Sequence, residues 1–324
     1  MTGTVAPTTD LGGGVHAIDT LMSGYSGITA GYLVLGQRPC LVETGTARSA
    51  PIVHAALRAH GLGPQDLATV VVTHIHLDHA GGVGDIAAAY PGAEVVVHEL
   101  GARHLVEPER LMASARRVYG SLMDDVFGPL LPTPAARVRA VGDEAGIDLG
   151  GGRSLRVRYS PGHAKHHVAL FDESTGDLYV GDAAGIYVPE VDLLRPATPP
   201  PDFDLGVALA SLDLFATMAP RRLLFSHYGP VSHVEDILER SREELHLWVE
   251  LVGAARRAQL DLDHAVDMVQ RRTAQRYAAI RADAALDEKF ERLNSFASNI
   301  VGINRWLDRV EGSEWSFGDA AGTT

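Results

Sequence analysis

The stretch Thr73-His74-Ile75-His76-Leu77-Asp78-His79-Ala80-Gly81-Gly82 decides how the rest of this chain is read. It follows directly on Ala68 to Thr73, a continuous apolar and β-branched run of the kind that forms a strand covered on both faces. Four potential metal ligands crowd into six residues at the end of that strand, where a loop is free to aim them at one small volume. Imidazole suits zinc, iron and nickel, and a carboxylate adds negative charge and can bridge two ions. The two glycines let the backbone turn tightly into a following helix. A solvated polar loop that happens to be rich in histidine is the alternative reading, and the density of ligands beside an apolar strand weighs against it.

Working outward, the upstream sequence has short β-prone runs at Val15 to Leu21, Ile28 to Leu35 and Cys40 to Glu43, separated by glycine turns, and then a helical stretch at Ala50 to His60. Downstream, a helix is predicted after Gly82, with strands at Glu94 to Val97, Ser154 to Arg158, His167 to Phe171, Leu178 to Val180 and Arg222 to Phe225. A helix at Phe203 to Met218 precedes the last of these. Strands clustered at both ends with helices between them predict an α/β fold with sheets packed face to face and helices outside. Residues 100–134, broken by Pro108, Pro129, Pro132 and Pro134, read as a partly helical insertion that could serve as a lid.

After His233 the texture changes. Val234, Ile237, Leu238, Ser241, Leu245, Trp248, Val249 and Val252 fall on one face of a long helix, a weaker helical pattern covers Ala265 to Ile280, and a third runs from Leu286 to Val310. The expected organisation is a tail at 1–14, a catalytic domain at 15–233, a helical C-terminal segment at 234–311 and a tail at 312–324. The stripes of the C-terminal segment serve as packing surface, over the pocket or in a homodimer.

Composition narrows the function. The chain has 324 residues, with 28 Lys and Arg against 41 Asp and Glu, a net charge of −13 that repels phosphate backbones and argues against nucleic acid as a partner. No apolar run reaches the roughly 20 residues that span a bilayer, and the N-terminus lacks the cationic start and apolar core of a secretory signal. Together with a single cysteine, Cys40, set in an apolar stretch, this predicts a cytoplasmic protein without membrane attachment. Fifteen histidines are the unusual feature of the composition.

Three further positions follow in order: His163 in Ser160-Pro161-Gly162-His163, Asp182 in Val180-Gly181-Asp182-Ala183, and His227 in Phe225-Ser226-His227-Tyr228-Gly229. With the first stretch they resemble the HxHxDH signature and later ligands of the metallo-β-lactamase superfamily, over roughly Val15 to His233. Leu41-Val42-Glu43-Thr44-Gly45 also resembles a turn of that family, with Glu43 where an aspartate is commoner. The resemblance implies an αβ/βα sandwich with a helical C-terminal extension. It implies one metal held by His74, His76 and His163, a second held by Asp78, His79 and His227, and Asp182 bridging them. The ions implied are two divalent metals, zinc first, with iron or manganese as alternatives. Two such ions activate water and polarise a carbonyl, and Asp78 is placed to accept the water's proton.

Asp182 separates this chain from family members that open β-lactam rings, and aligns it with glyoxalase II-like thioesterases and acyl-homoserine lactonases. The expected function is therefore hydrolysis of an activated acyl bond in a small-molecule substrate, a thioester first and a lactone or ester second. A mononuclear iron persulfide dioxygenase is the reading from another class, and metal content separates the two. A metal-bound module without activity is a third, weakened by the full set of ligands. RNase Z-like nucleases share the ligands, but the acidic balance opposes them. Tyr187 resembles a tyrosine that lactonases place near the substrate carbonyl, at longer spacing, and is weighed against a packed aromatic. His166 and His167, read as the start of a strand, would point to opposite faces, so at most one would reach the metals; His166 is weighed for a pocket role. His16, His54, His60, His98, His104, His233, His246 and His264 read as structural.

Overall fold

The β-branched runs separated by glycine turns build a first sheet whose spatial order is its order in the chain: β1 (Thr8–Asp10), β2 (Val15–Asp19), β3 (Ala30–Val34), β4 (Cys40–Val42), β5 (Thr69–Val71), β6 (Glu94–His98) and β7 (Val138–Val141). The computed structural model describes residues 8–312. Strands β1 to β4 meander antiparallel, and β4 to β7 run parallel. Parallel neighbours need crossovers, which helices supply. These are α1 (Ala50–Ala59) before β5, α2 (Leu77–Ala80) and α3 (Val83–Ala89) before β6, and α4 (Glu99–Val106) and α5 (Glu109–Tyr119) before β7.

The second sheet begins with the antiparallel strands β8 (Gly146–Gly150), β9 (Arg153–Tyr159), β10 (Val168–Asp172) and β11 (Asp177–Gly181). A separate hairpin, β12 (Ile186–Val188) with β13 (Leu193–Arg195), and a helix, α6 (Leu205–Thr217), come next. The chain then returns to the sheet with β14 (Arg222–Phe225), parallel to β11, and β15 (Gly229–Val231), giving the order β15-β14-β11-β10-β9-β8. Side chains two residues apart on each strand meet between the sheets: Val15, Ala30, Tyr32, Val42, Val71 and Val96 from the first, and Val157, Val168, Leu170, Tyr179 and Leu224 from the second. Fully burying an aliphatic side chain of this size contributes roughly 1.5–3 kcal/mol, which makes this shared layer a main source of stability.

By contact the described residues divide into two compact units. One runs through Ser160 and takes in His166–Gly181 and Ala219–Val234; the other is Pro161–Lys165, Asp182–Met218 and the chain from Glu235 on. The first holds both sheets. The second holds the hairpin, α6 and the helices α7 (Val234–Arg257), α8 (Leu262–Arg272), α9 (Ala278–Arg281), α10 (Ala284–Leu293) and α11 (Phe296–Glu311). Sequence drew one continuous domain over 15–233, whereas contact groups residues 182–218 with the C-terminal helices. The cause is tertiary: Ile186, Val188 and Ala197 bury themselves against Ile280, Leu286 and Phe290. Deeper in that unit Trp248 Nε1 donates to the Tyr277 hydroxyl at 2.8 Å, and the Arg195 guanidinium lies 4.4 Å over the Phe296 ring.

Other expectations meet the structure unevenly. The tails fall outside the described residues at 1–7 and 313–324, but Thr8–Asp10 is an exposed strand, returned onto β2 by the left-handed run Gly12-Gly13-Gly14. The third C-terminal pattern is two helices, because Ser295 opens a new one by accepting the Ser298 N–H at 3.1 Å. Residues 100–134 contain α4, α5 and a π-helical turn at Met123–Phe127. Strands β7, β8, β12, β13 and β15 carried too little periodicity to be seen in the sequence. Among the described residues no helix is long and apolar enough to cross a membrane.

Candidate metal centre

The ligand-rich loop is set by what its backbone meets. Past β5, the Thr73 N–H donates to Glu43 Oε1 at 3.0 Å, which fixes the strand's exit. His76 keeps an extended conformation as the N-cap of α2, a helix of four residues that carries Asp78 and His79 on its first turn. The turn out of α2 needs Gly81, since a Cβ there would run into the Leu77 carbonyl oxygen and the backbone of Thr46 and Ala47. Thr44 completes the brace, donating its N–H and its hydroxyl to the His79 carbonyl at 2.9 and 2.8 Å.

His227 arrives from the second sheet, on the turn between β14 and β15. The residue before it ties the sheets together: Ala30 N–H of β3 donates to the Ser226 carbonyl at 2.8 Å. Asp78, His79 and His227 each offer a ligand atom, and these atoms lie within 4.8 Å of one another. His79 and His227 are buried, and the Asp78 side chain is 19% exposed, so the carboxylate is the member of this trio that reaches solvent.

The tautomers follow from the neighbours. His227 Nδ1 lies 2.8 Å from the Ile28 carbonyl oxygen, an acceptor, which places the proton on Nδ1 and a lone pair on Nε2. His79 Nδ1 faces Glu43 Oε2 at 3.5 Å, with the same consequence. The two Nε2 atoms then confront each other at 3.1 Å, with Asp78 Oδ2 3.3 Å from one and 3.6 Å from the other. Three electron-rich atoms turned on one point repel one another unless a cation sits among them, and two imidazoles with a carboxylate are a donor set for a zinc-like ion. His74 and His76 show a similar approach, Nε2 to Nδ1 at 3.0 Å, with His74 Nδ1 held 3.0 Å from the Thr73 hydroxyl.

The remaining predicted residues lie in the second unit. His163 and Asp182 are both buried; His163 Nδ1 is 3.0 Å from the Ala197 carbonyl oxygen, and its Nε2 is 3.6 Å from Asp182 Oδ2. Asp182 immediately follows Gly181, the last residue of β11. That glycine adopts φ +51°, and a Cβ on it would collide with Thr73 Oγ1 and His167 Nε2. Tyr187 is buried on β12 and donates its hydroxyl to Asp192 Oδ1 at 3.0 Å. Burial first, then that carboxylate, pushes its pKa up to about 12, so the phenol stays protonated.

Three buried residues exceed what the sequence promised. His166 and His167 precede β10 in a turn rather than opening the strand, so the alternation of a strand does not divide them, and both rings approach His74, with centroids at 6.2 and 5.1 Å. The Ile75 N–H points at His166 Nδ1 at 3.5 Å, and His167 Nδ1 is 3.0 Å from the Ser160 hydroxyl. Glu43 is the supporting residue whose importance sequence understated: it holds φ +64° and is fully buried behind His79. A left-handed glutamate leaves no periodic trace, so only its place in a family-like turn pointed to it.

Comparison with known proteins identifies the family of the chain. The chain is 31% identical over 195 residues to the metallo-beta-lactamase fold-containing protein ST1585 of Sulfurisphaera tokodaii, covering 57% of this chain and 71% of that one. It superposes on the crystal structure of ST1585 from Sulfolobus tokodaii with a TM-score of 0.61, over 71% of this chain and 85% of the other, at 27% identity. The metallo-beta-lactamase family protein TTHA1429 of Thermus thermophilus matches with a TM-score of 0.58, at 25% identity over 88% of this chain and 89% of its own. A more distant match is the acyl-coenzyme A thioesterase MBLAC2 of Gallus gallus, 30% identical over 164 residues, which cover 47% of this chain and only 56% of that protein. The family model described as the metallo-beta-lactamase superfamily matches residues 25–227, more than half of the chain, and the chain belongs to that superfamily.

Proposed function

We propose that the protein is a metal-dependent hydrolase of an activated acyl bond, and of a thioester first. The observation that carries this is the convergence of Asp78 Oδ2, His79 Nε2 and His227 Nε2 on one point beside a second pair of facing imidazole nitrogens, His74 and His76. His163 and Asp182 are the remaining ligands in this reading, as the family pattern implies. When bound, two divalent ions supply polarisation of the scissile carbonyl and a water acidified towards neutrality.

The protein's own groups do the rest. Asp78, the partly exposed carboxylate of the trio, accepts the proton of the attacking water and returns it to the departing group. Glu43 and the Ile28 carbonyl favour one tautomer of His79 and His227, and the Thr73 hydroxyl helps to orient His74, so little reorganisation is needed at the moment of reaction. A thiolate leaves more readily than an alkoxide because thiols ionise near pH 8.5, which suits a site where the proton is handed on by a partly exposed carboxylate, Asp78. The similarity to an acyl-coenzyme A thioesterase supports the same bond class.

The test is a side-by-side assay of thioesters, lactones, simple esters and phosphodiesters on metal-loaded protein. Turnover of thioesters above the others, lost on chelation and regained with zinc, is the expected result. Cleavage of RNA or phosphodiesters with no acyl hydrolysis overturns the reading, and a single redox-active iron with consumption of oxygen replaces it.

A further inference from the structure

The first unit also contains a groove of about 370 Å³, lined among others by Leu21, Ser23, Arg48, Ile52, Asp125 and Val126. That volume is in the range of small-molecule pockets, roughly 300–1,000 Å³. Its walls are pre-formed. Asp19 clips the loop after β2 at both ends, its Oδ1 accepting the Leu21 N–H at 3.0 Å and its Oδ2 the Gly27 N–H at 2.9 Å. Leu21 and Ser23 sit there at φ 48° and 56°, left-handed conformations that side chains other than glycine adopt only when their surroundings hold them.

The same segments that wall the groove also fix the histidines. The clipped loop runs on to Ile28, whose carbonyl orients His227. On the other wall, Arg48 follows the turn in which Thr44 binds the His79 carbonyl and the Gly45 carbonyl accepts the Gly82 N–H at 3.0 Å. A ligand in the groove is therefore held by the two segments that position the metal-binding side chains.

Two exposed charged side chains, Arg48 and Asp125, line the groove. Arg48 Nε donates to the Asp124 backbone carbonyl at 2.5 Å, which fixes the plane of its guanidinium. The Asp124 carboxylate is taken by both terminal nitrogens of Arg116, at 2.9 and 2.8 Å. Among the described residues, neither Arg48 nor Asp125 has an oppositely charged side-chain atom within 4.0 Å, including each other's. The groove thus presents one exposed guanidinium and one exposed carboxylate, neither in an ion pair with another described residue, with Leu21, Ile52 and Val126 as apolar surface. A polyanionic carrier gains little here, since Asp125 and a net charge of −13 oppose it. A group with one acid, one ammonium and an apolar stem satisfies every part.

We infer that this groove binds a zwitterionic, amino-acid-like arm of the substrate, its carboxylate on Arg48, its ammonium on Asp125 and its aliphatic stem against Leu21, Ile52 and Val126. The inference rests on the acyl-hydrolase reading for what the arm is attached to, and stands on the groove alone for the binding. The test uses four hexanoyl thioesters of matched thiols. Nε-(3-mercaptopropanoyl)-lysine carries both charges; the corresponding amides of 6-aminohexanoate, 1,5-diaminopentane and pentylamine carry the carboxylate alone, the ammonium alone and neither.

The expected result is a kcat/KM about tenfold higher for the zwitterionic thioester than for the neutral one, as two exposed charge-assisted contacts would give. That ratio should fall about threefold or more in Arg48→Gln and in Asp125→Asn. Equal kcat/KM across the four thioesters overturns the inference. So does a preference that both variants keep, because the amino acid would then be gripping metal rather than the groove. If no thioester is hydrolysed at all, the acyl-hydrolase reading fails instead. Calorimetry with Nε-hexanoyl-lysine then decides the groove: binding weakened by both substitutions upholds it, and no binding, or binding indifferent to them, overturns it.

Discussion

Glu43 stands directly behind His79: its Oε2 is 3.5 Å from His79 Nδ1, its Oε1 accepts the Thr73 N–H at 3.0 Å, and both side chains are fully buried. One carboxylate therefore sets the orientation of a candidate ligand, His79, and the exit of the strand that leads into the histidine-rich loop. Outer contacts of this kind typically change metal affinity by about 10–100-fold. Glu43→Gln keeps the shape and the bond to Thr73 but removes the charge facing the imidazole. It should lower affinity for one ion by about that factor while circular dichroism stays native. Chelator competition measures it, and unchanged affinity would show that Glu43 serves the backbone alone.

Metal content is the second expectation. The seven predicted ligands, His74, His76, Asp78, His79, His163, Asp182 and His227, make two sets, so elemental analysis of zinc-loaded protein should approach two ions per chain. Because protons compete with metal for imidazole and carboxylate, affinity should fall as the pH is lowered. Stripping the metal should lower Tm, since binding to the folded state alone is itself stabilising. One ion per chain at saturation would remove the dinuclear reading.

Asp78 separates coordination from chemistry better than any histidine. Asp78→Asn keeps the size and one oxygen but loses the charge, so the Asp78–His79–His227 set weakens while His74 and His76 keep their arrangement. Loss of a general base costs about 10²–10⁴ in rate, whereas a lost ligand alone is repaired by excess metal. The informative measurement is kcat at saturating metal for Asp78→Asn beside His227→Ala. Recovery of Asp78→Asn to near wild-type turnover would confine its role to coordination.

Cys40 gives a prediction about pH. It is fully buried on β4, and burial pushes its thiol from 9.0 up to about 12. The folded state then keeps a proton that the unfolded chain releases. The stability linked to that proton is complete below about pH 9 and is lost as the pH rises towards about 12. Tm should decline over that window, and less steeply in Cys40→Ala, although the smaller side chain lowers Tm at neutral pH. Native protein at pH 8 should resist alkylation and react once unfolded; rapid native alkylation would contradict the burial.

The sequence by itself determined the parts whose physics is local. An apolar run followed by clustered histidines specifies a strand ending in a ligand loop, glycine at 81 specifies the tight turn, and helical stripes after His233 specify helices. Other decisions needed tertiary structure. That His166 and His167 both turn towards His74 depends on a turn before β10, not on a strand's alternation. That residues 182–218 group with the C-terminal helices depends on Ile186 and Val188 finding Ile280 and Phe290, about a hundred residues away. Tyr187 shows the same limit: sequence placed it near a ligand, and the fold turned its hydroxyl to Asp192. The supporting contacts of His79 and His227 come from Glu43 and the Ile28 carbonyl, a left-handed residue and a backbone atom. Periodicity records which face of an element is apolar, and it carries no record of which distant backbone oxygen a side chain will meet.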